Sequence, residues 1–182
     1  GAKHRTTVKG AWGADVLMAK SNFKMKEQFR IGMQTVHRDN KTDIHRRKYK
    51  MRKVKVAAVQ MRCTRDVNAN IANAEGLVRK AAADGARIIL LPELFERQYF
   101  CQERQYEYYE FAKPVEENDA VKHFAKVAEE LKVVLPISFY EKDGKRLFNT
   151  VAILDADGTN LGIYRKTHIP DDHYYQEKFY FT

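Results

Sequence analysis

From residue 51 onward, short apolar runs alternate with stretches of helical periodicity; the first fifty residues have no comparable order. Val54-Lys55-Val56-Ala57-Ala58-Val59 is β-rich and predicts a first strand. A helix should follow, with Asp66 as its cap, Ile71, Ala74, Val78 and Ala81 on one face, and Gly85 as its stop. The run 87–91 is continuously apolar after Arg87 and bounded by Gly and Pro, which suits a parallel strand covered on both faces. Residues 94–116 are aromatic-rich and irregular, predicting a long loop or short helical pieces. A second helix is expected near 118–131, with Val121, Phe124, Ala125, Ala128 and Leu131 at helical spacing. Three further strands, 133–140, 148–154 and 160–165, are separated by Asp143-Gly144 and Asp157-Gly158, both strong hairpin signals.

This order predicts an α/β fold with a defined rim. A strand, a crossover helix and a second strand make a parallel pair, and two tight hairpins return the chain to the same direction. Strands 87–91, 133–140 and 160–165 should therefore point one way. Glu93, Glu141 and Lys166 follow their ends, and the strand ends of an open α/β sheet are a common place for a site. A carboxylate can take the proton of a thiol, and an ammonium can stabilise the oxyanion made when the thiolate attacks a carbonyl. A second carboxylate would keep the ammonium charged and oriented. Taken singly, each of the three is more often a solvated loop residue.

Charge divides the chain. Of 33 Lys+Arg and 24 Asp+Glu, residues 1–50 hold 13 and 4, so the whole net charge of +9 lies there and residues 51–182 are neutral. The neutral part is no evident phosphate-binding surface. Residues 1–50 read as a basic, disordered leader: a translated stretch upstream of a start at Met51, or else a basic arm for nucleic acid or lipid, or a transit peptide. Cys63 and Cys101 fit neither a zinc spacing nor a disulfide framework, so reduced thiols in a cytoplasmic protein are expected. No run approaches the length of a membrane helix.

Four segments carry a resemblance: Val56-Ala57-Ala58-Val59-Gln60-Met61, Leu91-Pro92-Glu93-Leu94-Phe95, Phe148-Asn149-Thr150 and Tyr164-Arg165-Lys166-Thr167-His168-Ile169-Pro170. In these, residues 53–182 resemble the nitrilase, or carbon–nitrogen hydrolase, superfamily, which works with a Glu-Lys-Cys triad. Glu93-Leu94-Phe95-Glu96, Tyr99-Phe100-Cys101-Gln102 and Tyr175-Gln176-Glu177-Lys178-Phe179-Tyr180-Phe181 are most similar to the N-carbamoylputrescine amidase branch. The resemblance implies Glu93 as general base, Lys166 as oxyanion electrophile and Glu141 as supporting carboxylate. It also implies a four-layer α-β-β-α sandwich, pairing into homo-oligomers, with no metal or cofactor. The family's cysteine lies on a strand end beyond Thr182, so these residues are expected to be the N-terminal part of the hydrolase domain, inactive by themselves.

The implied substrate is a small carbamoyl or amide compound with a ureido head and a distant ammonium. Tyr99, Phe100, Asp171, Asp172, Tyr175 and Glu177 are the candidates to hold it, by acidic or aromatic contact. Cys63 and Cys101 are weak candidates for the nucleophile, and His123, His168 and His173 for pocket or surface roles. Two other readings stand beside this one: an amidase for another carbamoyl or amide substrate, and a noncatalytic interaction module that uses the basic leader.

Overall fold

The computed structural model describes residues 6–9, 15–18 and 53–182. Strands β1 (Thr6–Lys9) and β2 (Asp15–Met18) form an antiparallel pair. Beyond those two strands, the expectation of a disordered leader over residues 1–50 lies outside the described residues.

The main body is a mixed sheet with two helices on one face. Strand β3 (Val56–Ala58) pairs in parallel with β4 (Ile88–Leu90). A parallel bridge between Ile88 and Val134 joins β4 to the chain entering β5 (Leu135–Asp143). Antiparallel hairpins then add β6 (Arg146–Leu154) and β7 (Asn160–Arg165). Strands β4, β5 and β7 therefore run in one direction, as the connectivity predicts. Both hairpin glycines have positive φ, 60° at Gly144 and 84° at Gly158, a backbone that few other residues adopt without strain. Pairing of β6 with β7 shifts register between Ala152 and Leu154, close to Gly162.

Helix α1 (Val67–Ala83) starts where Asp66 accepts a hydrogen bond from the Ala69 amide at 3.0 Å. Its buried face carries Asn70, Ile71, Ala74, Leu77, Val78 and Ala81. Helix α2 (Asp119–Leu131) is capped in the same way by Asn118, whose side chain accepts from Val121. Both helices cover the sheet face that presents Ala57, Ile89, Leu135, Ile137, Phe139, Ala152 and Leu154, all buried. The irregular segment 94–116 contains short 3-10 turns at Phe100–Gln102, Tyr106–Phe111 and Val115–Glu117.

Two expectations change. Strand β4 is covered on one face: Ile89 is buried, whereas Ile88 and Leu90 are exposed, Leu90 at 51%. Alternation sends neighbouring side chains to opposite faces, and the helices of the described residues cover only one of them. Glu141 does not follow a strand end but sits inside β5, because the β5–β6 ladder continues to Asp143 and Arg146 before turning.

Asn70 links the helical layer to the loop after β4. Its amide donates to the carbonyls of Thr64 (2.8 Å) and Glu96 (2.9 Å), while its oxygen accepts from the Thr64 amide (2.9 Å). Replacing this buried residue strands several polar groups. Asn70→Ala should lose about 1–3 kcal/mol in urea unfolding; a change below about 0.5 kcal/mol would mean that water replaces the amide.

Candidate active site

Glu93 stands at the C-terminal end of β4, just after Pro92. The backbone that follows is tightly fixed: Leu94 has φ 51°, in the left-handed region, and its amide donates to Ser138 Oγ on β5 at 3.0 Å. Two residues on, the Glu96 carboxylate accepts from Asn118 Nδ2 at 3.0 and 3.1 Å, binding the loop to the start of α2. Burial raises the Glu96 pKa, opposed by that hydrogen bond.

Lys166 follows β7. Its backbone amide donates to the Asn149 carbonyl (2.8 Å), which places the ammonium against two carboxylates. Nζ lies 3.0 Å from Glu93 Oε1 and 2.8 Å from Glu177 Oε2. Glu177 lies in the 3-10 turn Glu177–Phe179, and its side chain is 2% exposed, against 31% for Lys166 and 47% for Glu93. Its second oxygen accepts from Tyr99 Oη at 2.5 Å. Burial by itself would lower the Lys166 pKa; the hydrogen bonds to Glu177 and Glu93 outweigh it and hold the ammonium above its ordinary value of 10.5. Burial, and then the bond to Glu177, keep Tyr99 protonated well above the usual phenol range.

The structure thus brings together Glu93, Lys166, Glu177 and Tyr99, and leaves Glu141 elsewhere. Glu141 accepts from Arg165 at 2.6 and 2.8 Å and from Thr150 at 2.5 Å. Arg165 also covers the Phe148 ring at 4.0 Å. Thr150 and Arg165 are register partners, so Arg165 and Lys166 face opposite sides of β7 and only Arg165 shares a side with Glu141. The carboxylate beside the lysine is Glu177, which the sequence reading had placed among the substrate contacts.

Other candidates scatter. Phe100 is buried among Tyr140 and Tyr180, with ring centroids 5.2 and 5.0 Å away, although it reaches a cavity wall. Asp172 shapes a turn, accepting from the Tyr174 and Tyr175 amides at 2.8 and 3.2 Å. Asp171 and Tyr175 are exposed, as are His168 and His173. His123 lies on α2 against Glu75 at 2.7 Å. Asn149 was assigned no role from sequence, yet its Nδ2 lies 2.6 Å from Glu93 Oε1. Its place on the β6 face shared with Lys166 was the available signal.

Glu93 borders two cavities. One of ≈ 530 Å³ is also lined by Tyr99, Cys63, Arg65, Arg97 and Glu103. The other, ≈ 270 Å³, lies over the uncovered sheet face, with Leu90, Val151, Tyr164, Asn149 and Lys166 in its wall. Burial raises the thiol pKa of both cysteines, and Cys101 is fully buried. Neither setting favours a thiolate.

An ammonium is thus clamped between two carboxylates at the strand ends of an α/β sheet. Residues 55–182 match the carbon-nitrogen hydrolase family, and the chain belongs to it. It is 53% identical over 130 residues to an N-carbamoylputrescine amidase of Oryza sativa subsp. japonica, covering 71% of this chain and 43% of that protein. With a citrullinase of Francisella tularensis it shares 43% identity over 132 residues, or 72% and 46% of the two chains. A carbon-nitrogen hydrolase structure from Helicobacter pylori G27 superposes with a TM-score of 0.66 at 30% identity, covering 71% and 44%. The chain therefore spans less than half the length of the curated relatives it matches. Among the described residues no helix is long and apolar enough to cross a membrane.

Because the Lys166 pKa is raised on folding, the stability it contributes is complete below about pH 10 and lost as pH rises through the raised value. Glu177→Gln should lower the Lys166 pKa in a ¹³Cε NMR titration; no movement would mean that Glu177 is not its partner in solution. With a thiol reagent at pH 8, Cys101 should stay unlabelled until the chain unfolds, and Cys63 should react more slowly than a free thiol. Rapid labelling of folded Cys101 would contradict its burial.

Proposed function

We propose that residues 53–182 supply the base and the cation of a thiol-dependent carbon–nitrogen hydrolase whose substrate is a small ureido compound, N-carbamoylputrescine foremost. The supporting observation is the Lys166 ammonium placed 3.0 Å from Glu93 and 2.8 Å from Glu177, in the wall of the cavity over the uncovered sheet face. Glu93 takes the proton of a cysteine thiol supplied from outside residues 1–182, and the thiolate adds to the ureido carbon. Lys166 stabilises the resulting oxyanion, an effect of about 3 kcal/mol for one well-placed donor. Glu93 returns the proton to the departing ammonia, leaving a carbamoyl thioester. Glu93 then activates a water that releases the thiol, and the carbamic acid formed breaks down to carbon dioxide and putrescine. One ureido compound and one water thus give one amine, one ammonia and one carbon dioxide.

In this scheme Glu177 keeps Lys166 charged, with Tyr99 bracing Glu177. Glu141 acts at a distance, holding the β5–β7 end through Arg165. The same domain would assemble into homo-oligomers in the cytoplasm and serve polyamine synthesis. Residues 1–182 alone should release no ammonia.

Arg65, Arg97 and Glu103, all in the lining of the larger cavity, favour a second reading. Two guanidinium groups and a carboxylate suit a substrate tail that carries both a carboxylate and an ammonium, as in an ureido amino acid. A panel of N-carbamoylputrescine, citrulline and simple amides, assayed for ammonia with the complete hydrolase domain, separates the two. Preferential turnover of N-carbamoylputrescine supports the first reading and preference for citrulline the second. Inertness toward every member would defeat both. Lys166→Met should lower kcat about 100-fold or more on whichever substrate is used.

A further inference from the structure

With Glu93 taken as the general base, the geometry points to Asn149 as a positioning residue that commits one Glu93 oxygen to structure and leaves the other free for proton transfer. Asn149 Nδ2 donates to Glu93 Oε1 at 2.6 Å, and Lys166 Nζ reaches the same oxygen at 3.0 Å. Among the described residues no donor is placed on Oε2. The terminal torsion of a glutamate is soft and roughly two-fold, so one cation alone leaves the two oxygens free to exchange. Two donors converging on Oε1 from different strands remove that freedom. Oε2 keeps its lone pairs for an incoming proton.

The residue type suits this task. An ionised carboxylate only accepts, so the Asn149 amide must present nitrogen toward it, which fixes the orientation of the amide. An amide also holds the carboxylate without adding charge or titrating, which a second lysine or a histidine would not do. Asn149 is only 4% exposed, so water cannot easily take over its role. Its neighbours on β6 are committed to the opposite face, Thr150 to Glu141 and Phe148 to Arg165.

Asn149 also acts through its backbone. Its carbonyl accepts the Lys166 amide at 2.8 Å, so one residue of β6 sets both the orientation of the base and the position of the cation. Ser138, two residues along β5 from Tyr140, the register partner of Asn149, fixes the base from the other end by accepting the Leu94 amide. Glu93 is thereby gripped at backbone and at carboxylate while its side chain remains half-exposed to the cavities.

Two measurements test this. The first uses the 182-residue chain and needs no turnover: side-chain amide NMR of Asn149. One Nδ2 proton should lie well downfield of ordinary asparagine, and Glu93→Ala should return it to the ordinary position. An Asn149 amide that ignores Glu93→Ala would overturn the assignment, whatever the enzyme's substrate.

The second measures kinetics in the complete hydrolase domain. Asn149→Ala should lower kcat about 10- to 100-fold, the range for losing a hydrogen bond to a charged group, with KM within about twofold. Asn149→Asp should be impaired at least as much near neutrality, because an ionised carboxylate cannot donate to Oε1 and repels it. A folded Asn149→Ala enzyme with unchanged kcat, or an Asp variant as active as the wild type, would overturn the positioning role. Failure of the wild-type domain on every ureido and amide compound would defeat the hydrolase reading, and the NMR measurement would still decide the role of Asn149.

Discussion

Glu177 is a carboxylate with almost no access to water, and it has to be paired. Removing an ionised group from solvent costs several kcal/mol unless an opposite charge and hydrogen bonds replace the lost hydration. Lys166 supplies the charge and Tyr99 the hydrogen bond, and both are drawn to a fixed point by that need. Lys166 then reaches Glu93 with a second of its three N–H donors. The chain after β7 must fold back so that residue 177 lies under residue 166, and the aromatic cluster of Phe100, Tyr140, Tyr180 and Phe181 is the packing that holds it there.

Alternation along the strands divides the charged residues into two groups that never mix. On the side of β5–β7 that includes Glu141, the polar groups satisfy one another: Thr150 and Arg165 meet Glu141, and Arg165 lies over Phe148. That group is closed. On the other side Ser138, Asn149 and Lys166 converge on the Glu93 loop and border open space. One face is bound up in its own pairs, and the other borders the cavities.

Much of this was legible in the sequence. Asp66 and Asn118 cap helices whose apolar spacing was evident, and Asp-Gly at 143 and 157 marked both hairpins. Common direction of the strands followed from connectivity, and it was enough to place Glu93 and Lys166 on one rim. What could not be read was which face each residue occupied, because a strand boundary misjudged by a residue or two inverts the answer. Glu141 was thus expected beside Lys166 when it belongs to Arg165. Glu177 gave no strong local signal either: its importance comes from a fold-back of eleven residues that aromatic packing determines and periodicity does not encode. Asp171, Asp172 and Tyr175 had the right chemistry for a pocket, but a turn built on Asp172 carries them into solvent.

The register shift between Ala152 and Leu154 has a further meaning for the β6–β7 ladder. Sliding β7 by one residue against β6 would exchange Arg165 and Lys166, putting a bulky guanidinium at the site and an ammonium in the closed group. Phase error at that end of the strand is therefore intolerable. The irregularity lies at the far end, near Gly162, where the strand is exposed and nothing depends on which way a side chain points. Mismatch between the two strands is absorbed there, as an expansion joint takes up movement away from a rigid fixing. Insertions and deletions accumulated in this strand should thus be tolerated near Gly162 and excluded on the side of Lys166.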